Sequence, residues 1–222
     1  MTISENINHL RSKIPQETTL VAVSKTKPIA SILEAYQTGH KVFGENKIQE
    51  LVDKQKQLPE DIEWHMIGHV QRNKVKYIAE FVTLIHAVDS YKLLVEINKQ
   101  AAKHQRKINC LLQIKIATED AKFGMTALEA TEILKENNVN KLHFINIVGL
   151  MGMATFTDNQ SQLQEEFEYL KSTFDVLNTR YPELEIISMG MSGDYKLAID
   201  AGSTMVRLGS SIFGERNYSI IN

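Results

Sequence analysis

Apolar residues along this chain follow two alternating spacings. Short runs rich in Val, Ile and Leu give way to longer stretches in which apolar residues recur every three or four positions, and the two patterns take turns along the sequence. The first stretch predicts a helix capped by Ser4, with Ile7, Leu10 and Ile14 on one face and Pro15 stopping it. A strand through Leu20, Val21, Ala22 and Val23 follows and runs into Ser24, Lys25 and, beyond them, Pro28. The spacing of Ile29, Ile32, Leu33 and Tyr36 predicts a helix over 29–38, with Gly39 at the C-cap position. Further strands are predicted over 41–44, 63–68, 82–88, 108–116, 144–151, 185–190 and 204–209. Helices over 45–58, 73–80, 91–104, 127–137, 160–181 and 194–201 fall between them.

Eight such alternations joined by short loops predict an α/β fold, a (β/α)8 TIM barrel occupying residues 1–222 as one domain. An open doubly wound sheet would bring a glycine-rich first turn, and the sequence contains neither GxGxxG nor GxxxxGK followed by Ser or Thr. A net charge of -2 with no basic block speaks against nucleic acid or an anionic membrane surface as partner. The one cysteine, Cys110, lies in an apolar run and reads as a small core residue. The first fourteen residues lack the continuous apolar core of a signal peptide, and no run approaches the length of a membrane span. A soluble cytoplasmic protein is expected, and the absence of an oversized apolar helix face suggests a monomer.

In a barrel the strand ends converge on one mouth, where reactive groups gather. Period-two alternation puts Val21, Val23 and Lys25 on one strand face, so a lysine amine ends a row of buried side chains. Ser192-Gly193 and Gly209-Ser210-Ser211 follow the last two strands, the usual place for a phosphate cradle of backbone N–H groups and hydroxyls. Arg207 shares a face with Met205 and Gly209 and needs an acceptor there, either a ligand or a barrel carboxylate such as Asp89 or Glu45. An amine able to form a Schiff base, a phosphate cradle and a lumen-facing arginine together suggest pyridoxal 5'-phosphate (PLP). Gln113 and Lys115 are the polar members of an apolar strand and point to the lumen; Lys115 reads as a lysine reaching solvent at the mouth, and Lys122 as a surface-loop lysine. His65, His69 and His86 lack metal-ligand spacing.

Several ordered blocks carry a family resemblance over nearly the whole chain. Ala22-Val23-Ser24-Lys25-Thr26-Lys27, Phe43-Gly44-Glu45-Asn46, Trp64-His65-Met66-Ile67-Gly68 with Gln71 and Asn73-Lys74, Gly149-Leu150-Met151, Ser188-Met189-Gly190-Met191-Ser192, and the run from Gly202 through Arg207 and Gly209 to Gly214 resemble the signatures of the pyridoxal phosphate homeostasis proteins. The resemblance implies a barrel like the N-terminal domain of alanine racemase, with Lys25 as the Schiff-base lysine. It further implies phosphate contacts near Ser192, Gly209 and Ser210, Arg207 facing the pyridine nitrogen, and Asn46 near the ring. The sequence departs from the pattern at Gly193, where a bulkier residue is common and the turn is expected to loosen, and at Lys115, where Asn is common. Lys122 gains only a modest claim to transient cofactor contact.

The implied function is a non-enzymatic PLP-binding protein that carries and buffers the cofactor and supports intracellular vitamin B6 homeostasis. Its partners would be PLP, PLP-accepting apoenzymes, and free amino acids or amines as weak Schiff-base partners. The alternative is a PLP-dependent amino-acid racemase. That chemistry needs a second acid/base, a tyrosine from a further C-terminal domain, and the sequence ends soon after the eighth strand. A cationic Arg207 would also disfavour protonation of the ring nitrogen and weaken the cofactor as an electron sink. A third reading, a barrel aldolase or isomerase using Lys25 on a sugar phosphate, would leave the purified protein colourless instead of yellow.

Overall fold

The computed structural model describes residues 1–118, 123–135 and 141–215. Parallel strands β1 (Thr19–Val23), β2 (Val42–Glu45), β3 (Glu63–Met66), β4 (Leu84–Val88), β5 (Ile108–Ile114), β6 (Ile145–Gly152), β7 (Ile186–Ser188) and β8 (Met205–Leu208) close in sequence order into a barrel. The β1–β8 pairing, with Val21 opposite Arg207 and Ala22 opposite Leu208, completes it. The expected (β/α)8 fold is therefore what forms.

Helices α1 (Ile3–Arg11), α2 (Ile29–Gln37), α3 (Ile48–Gln55), α4 (Tyr91–Lys103), α5 (Ala127–Leu134), α6 (Gln160–Asn178), α7 (Tyr195–Asp200) and α8 (Ser210–Phe213) are the described α-helices. The segment between β3 and β4 is a 3₁₀ helix, Arg72–Tyr77, where the apolar spacing predicts an α-helix over 73–80. The first helix is capped by Thr2, not Ser4: the Thr2 hydroxyl accepts from Glu5 N while Glu5 returns a bond to Thr2 N, a reciprocal capping box. Helix α3 starts at Ile48, three residues later than the periodicity suggests, which leaves Asn46 in a loop at the mouth. Gly39 adopts a φ of 79° just past α2, the left-handed stop expected of it.

Alternation sorts the strand residues into two cores. Val21, Leu84, Ala87, Leu111, Met151 and Met205 fill the lumen. Ala22, Phe43, Trp64, Met66, Ile85, Cys110, Leu112, Leu150, Ile187, Val206 and Leu208 face outward and are sealed by the helices. Strands buried on both faces explain the near-continuous apolar runs in the sequence. The packed apolar residues close the lower barrel, and the cavity opens at the C-terminal mouth. Cys110 is fully buried, and burial pushes its thiol far above its ordinary range, as befits a core residue. Among the described residues no helix is long and apolar enough to cross a membrane.

Candidate functional site

Lys25 sits two residues beyond the end of β1, in a tight turn closed by Lys27 N donating to Ser24 O at 3.0 Å. Thr26 takes the third position of this turn with a φ of 64°, a left-handed conformation unusual for a β-branched residue. Ser24 points out of the barrel and donates to Glu45 Oε1 at 2.6 Å, so Lys25 carries on the lumen face begun by Val21 and Val23. Lys27 Nζ reaches across to Phe213 O at 3.0 Å and Gly214 O at 3.1 Å, tying the lysine turn to the end of α8.

The mouth encloses a cavity of about 480 Å³, a volume usual for a cofactor site. Lys25, Asn46, Ser192, Arg207, Gly209 and Ser210 all line it. On the β7–β8 side, the Ser192 hydroxyl accepts from Gly209 N at 3.2 Å and Ser211 N at 3.3 Å, so backbone donors at the start of α8 converge on one oxygen. Two convergent N–H groups with the hydroxyls of Ser192 and Ser210 suit a phosphate monoester. The turn through Gly193, expected to loosen, is closed: Asp194 N donates to Met191 O, and Met191 N donates to the Asp194 carboxylate.

Arg207 lies buried at the floor of the cavity. One Nη donates to Ser188 O at 2.8 Å and Ser188 Oγ at 2.7 Å, the other to Gly152 O at 3.0 Å. Burial lowers its pKa to about 10, which leaves it cationic at neutral pH. The carboxylates named as possible partners are elsewhere: Glu45 lies outside the barrel wall against Lys54, and Asp89 pairs with His69 Nδ1 at 3.3 Å. Arg207 is thus hydrogen-bonded to neutral acceptors, while the Asp194 carboxylate, which lines the same cavity, supports its charge. Below it, Ser188 continues to His86 and His65, which stack no metal set: among the described residues no group of three or more potential metal ligands occurs.

All six sequence-predicted residues come together here. Gln113 shares the lumen face with Leu111 and is buried, donating to Phe123 O at 2.8 Å, whereas Lys115 does not line the cavity. Lys122 lies outside the described residues. Sequence reasoning missed the cavity wall after β6, where Met153, Thr155, Phe156 and Thr157 contribute. Glu166 on α6 anchors that wall, accepting from Thr155 N and Thr155 Oγ1 at 2.6 Å each. Burial would raise the Glu166 carboxyl, but these bonds outweigh it and hold the group below its usual range.

The fold and the site define a closed parallel barrel that presents Lys25 and the Ser192–Gly209–Ser210 turn at the same mouth. A family model for the alanine racemase N-terminal domain matches residues 1–217, and the chain belongs to that family. Within it, the pyridoxal phosphate homeostasis protein of Vibrio alginolyticus is 40% identical over 234 residues, covering 98% of this chain and 99% of the relative. The resemblance read from the motifs is therefore borne out. PipY of Synechococcus elongatus PCC7942, solved without PLP, matches with a TM-score of 0.90 at 34% identity, covering 96% of this chain and 100% of that one. Its structure with PLP bound gives 0.87 at 33% identity with the same coverage. Alanine racemase from Clostridium difficile 630 has a TM-score of 0.83 at 14% identity and is covered over 58% of its length, a likeness of fold alone.

Proposed function

We propose that this protein binds pyridoxal 5'-phosphate through Lys25 and carries and buffers it for vitamin B6 homeostasis, without turning over amino acids. The observation that carries the reading is the convergence of Lys25, Arg207 and the Ser192–Gly209–Ser210 turn on one cavity. The similarity to homeostasis proteins over nearly full length, and to a structure with PLP bound, supports it.

In this reading Ser192, Gly209 and Ser210 hold the phosphate, Asn46 lies near the ring, and Arg207 faces the pyridine nitrogen. The cofactor would supply an aldehyde carbon open to attack by a primary amine, with water as the leaving group. Lys25 provides the amine, presented by its turn. Arg207, cationic and bound to carbonyls, donates and does not accept, which keeps a proton off an acceptor placed against it. The packed lumen keeps water to the mouth. The partners we infer are apoenzymes that accept PLP and free amines that displace Lys25, with the protein acting as a cytoplasmic monomer.

The test is to load the purified protein with PLP, reduce with borohydride and map the modified peptide. Visible absorbance and a single adduct at Lys25 are expected; an adduct on Lys115 or Lys122 would move the site, and a colourless protein would favour sugar-phosphate chemistry.

A further inference from the structure

Behind the lysine turn, outside the barrel wall, lies a cluster of charged residues that no part of the cavity uses. Lys54, on α3, is nearly buried, and its Nζ donates to Glu45 Oε1 at 2.7 Å, Glu50 Oε1 at 2.7 Å and Ser24 O at 2.8 Å. Glu50 Oε1 also accepts from Thr26 N at 2.6 Å. The Ser24 hydroxyl donates to the same Glu45 oxygen that Lys54 holds. The residue before Lys25 is therefore gripped at its carbonyl and its side chain, and the residue after it at its amide. Both grips run to Lys54, directly at Ser24 and through Glu50 at Thr26.

The grip falls on backbone that needs it. Thr26 sits at a φ of 64°, which a β-branched residue leaves unless its surroundings over-determine it. An amide fixed by a carboxylate and a carbonyl fixed by an ammonium are charge-assisted bonds, shorter and stronger than neutral ones. The strand alternation that aims Lys25 into the lumen depends on this corner, because Lys25 lies beyond the last residue of β1.

We propose that Lys54, acting with Glu50 and Glu45, is a positioning residue that locks the Ser24–Lys27 turn and so aims the Lys25 amine at the carbonyl carbon of the bound aldehyde. The proposal rests on the reading of Lys25 as the PLP-binding lysine. Lys54 itself does not line the cavity. A loosened turn leaves the phosphate cradle of β7 and β8 intact and penalises only the bond to the lysine, since the amine must be held within reach of the carbon it attacks.

Two ligands separate these effects. Pyridoxal 5'-phosphate can bond to Lys25, whereas pyridoxine 5'-phosphate has the same ring and phosphate with an alcohol in place of the aldehyde and cannot. Glu50→Ala frees Thr26 N while keeping the Lys54–Glu45 pair. Lys54→Met is made together with Glu45→Gln, because Glu45 Oε2 has no hydrogen-bond partner among the described residues and the carboxylate would otherwise be left buried without its cation. Both variants should bind PLP at least about tenfold more weakly and capture it more slowly, while their affinity for pyridoxine 5'-phosphate stays within about twofold of wild type. Equal loss for the two ligands, or no loss for either, would overturn the positioning role; if the paired variant does not fold, Glu50→Ala carries the test alone. Borohydride mapping of the wild type keeps the two readings apart. An adduct away from Lys25 sinks the functional reading, and an adduct at Lys25 with unchanged capture in the variants sinks only this one.

Discussion

His86 Nδ1 lies 3.0 Å from Ser188 Oγ in the lumen, directly beneath the cavity floor. Ser188 Oγ accepts from Arg207 Nη, and His86 Nε2 in turn lies 3.1 Å from His65 Nδ1, so the two imidazoles, the hydroxyl and the guanidinium form one buried chain of hydrogen bonds. The buried lumen favours the neutral form of both imidazoles. Burial lowers His65 to about 3 and takes His86 well below its ordinary value, helped there by the charge of Arg207. Protonating either ring would place a second positive charge in the buried space beside Arg207.

Stability should consequently fall as pH drops below about 6.5, where unfolded histidines bind protons that folded His65 and His86 do not. His40, lowered to about 4 by burial, adds to the same slope. Each contributes up to about 1.4 kcal/mol per pH unit between the unfolded and folded values. Glu45, raised chiefly by burial against the pull of Lys54, acts in the opposite sense as pH rises above its ordinary value. Urea midpoints between pH 7.5 and 5 read the histidines; a flat profile across that window would contradict the buried neutral relay.

Gly68→Ala should weaken both the fold and ligand retention. A Cβ there would lie 2.3 Å from Asn46 O and 2.8 Å from Asn46 Cα, so backbone must shift, and it is the backbone of a cavity residue. We expect a loss of about 1–3 kcal/mol, as for overpacking, with PLP affinity falling beyond what an equally destabilising substitution far from the mouth causes. Fluorescence titration of both variants makes the comparison.

The eight strands were legible because a strand buried on both faces leaves an apolar run, and the site residues because they end those runs. Lys25, Ser192 and Arg207 each break an apolar pattern where a barrel opens. Lys54 was not legible for the converse reason. It stands four residues after Glu50 in an amphipathic helix, the spacing of an ordinary surface ion pair, and only the docking of α3 on the strand ends turns that pair inward. Ser188 falls within one of the resembling motifs, but its partner His86 is 102 positions away in sequence, and no local pattern joins them. The wall after β6 carries Thr and Phe but no cation at its tip, so nothing in its composition marked it as lining a site.

Ser210→Asp should lower PLP affinity by about tenfold or more. The substitution removes a hydroxyl donor from the turn where Gly209 and Ser211 N–H groups converge, and sets a carboxylate against the phosphate. The loss should shrink at high salt, since like-charge repulsion at a half-exposed mouth is screened. An affinity unchanged in a fluorescence titration would place the phosphate elsewhere.

The PLP-loaded protein should exchange its Schiff base with free amines and yet show no appreciable racemisation, transamination or decarboxylation of amino acids. Exchange needs only a reachable C=N bond, and Lys25 sits at the open mouth. Turnover needs more: an acid/base on each side of the substrate and a protonated ring nitrogen. The group at the cavity floor is Arg207, cationic at neutral pH and braced by carbonyls, so it works against that proton. Amino-acid absorbance shifts should therefore be reversible, with no deuterium entering the α-carbon in heavy water. Stereospecific incorporation at an enzyme-like rate, abolished by Lys25→Ala, would reveal a second base at the mouth and return the racemase reading.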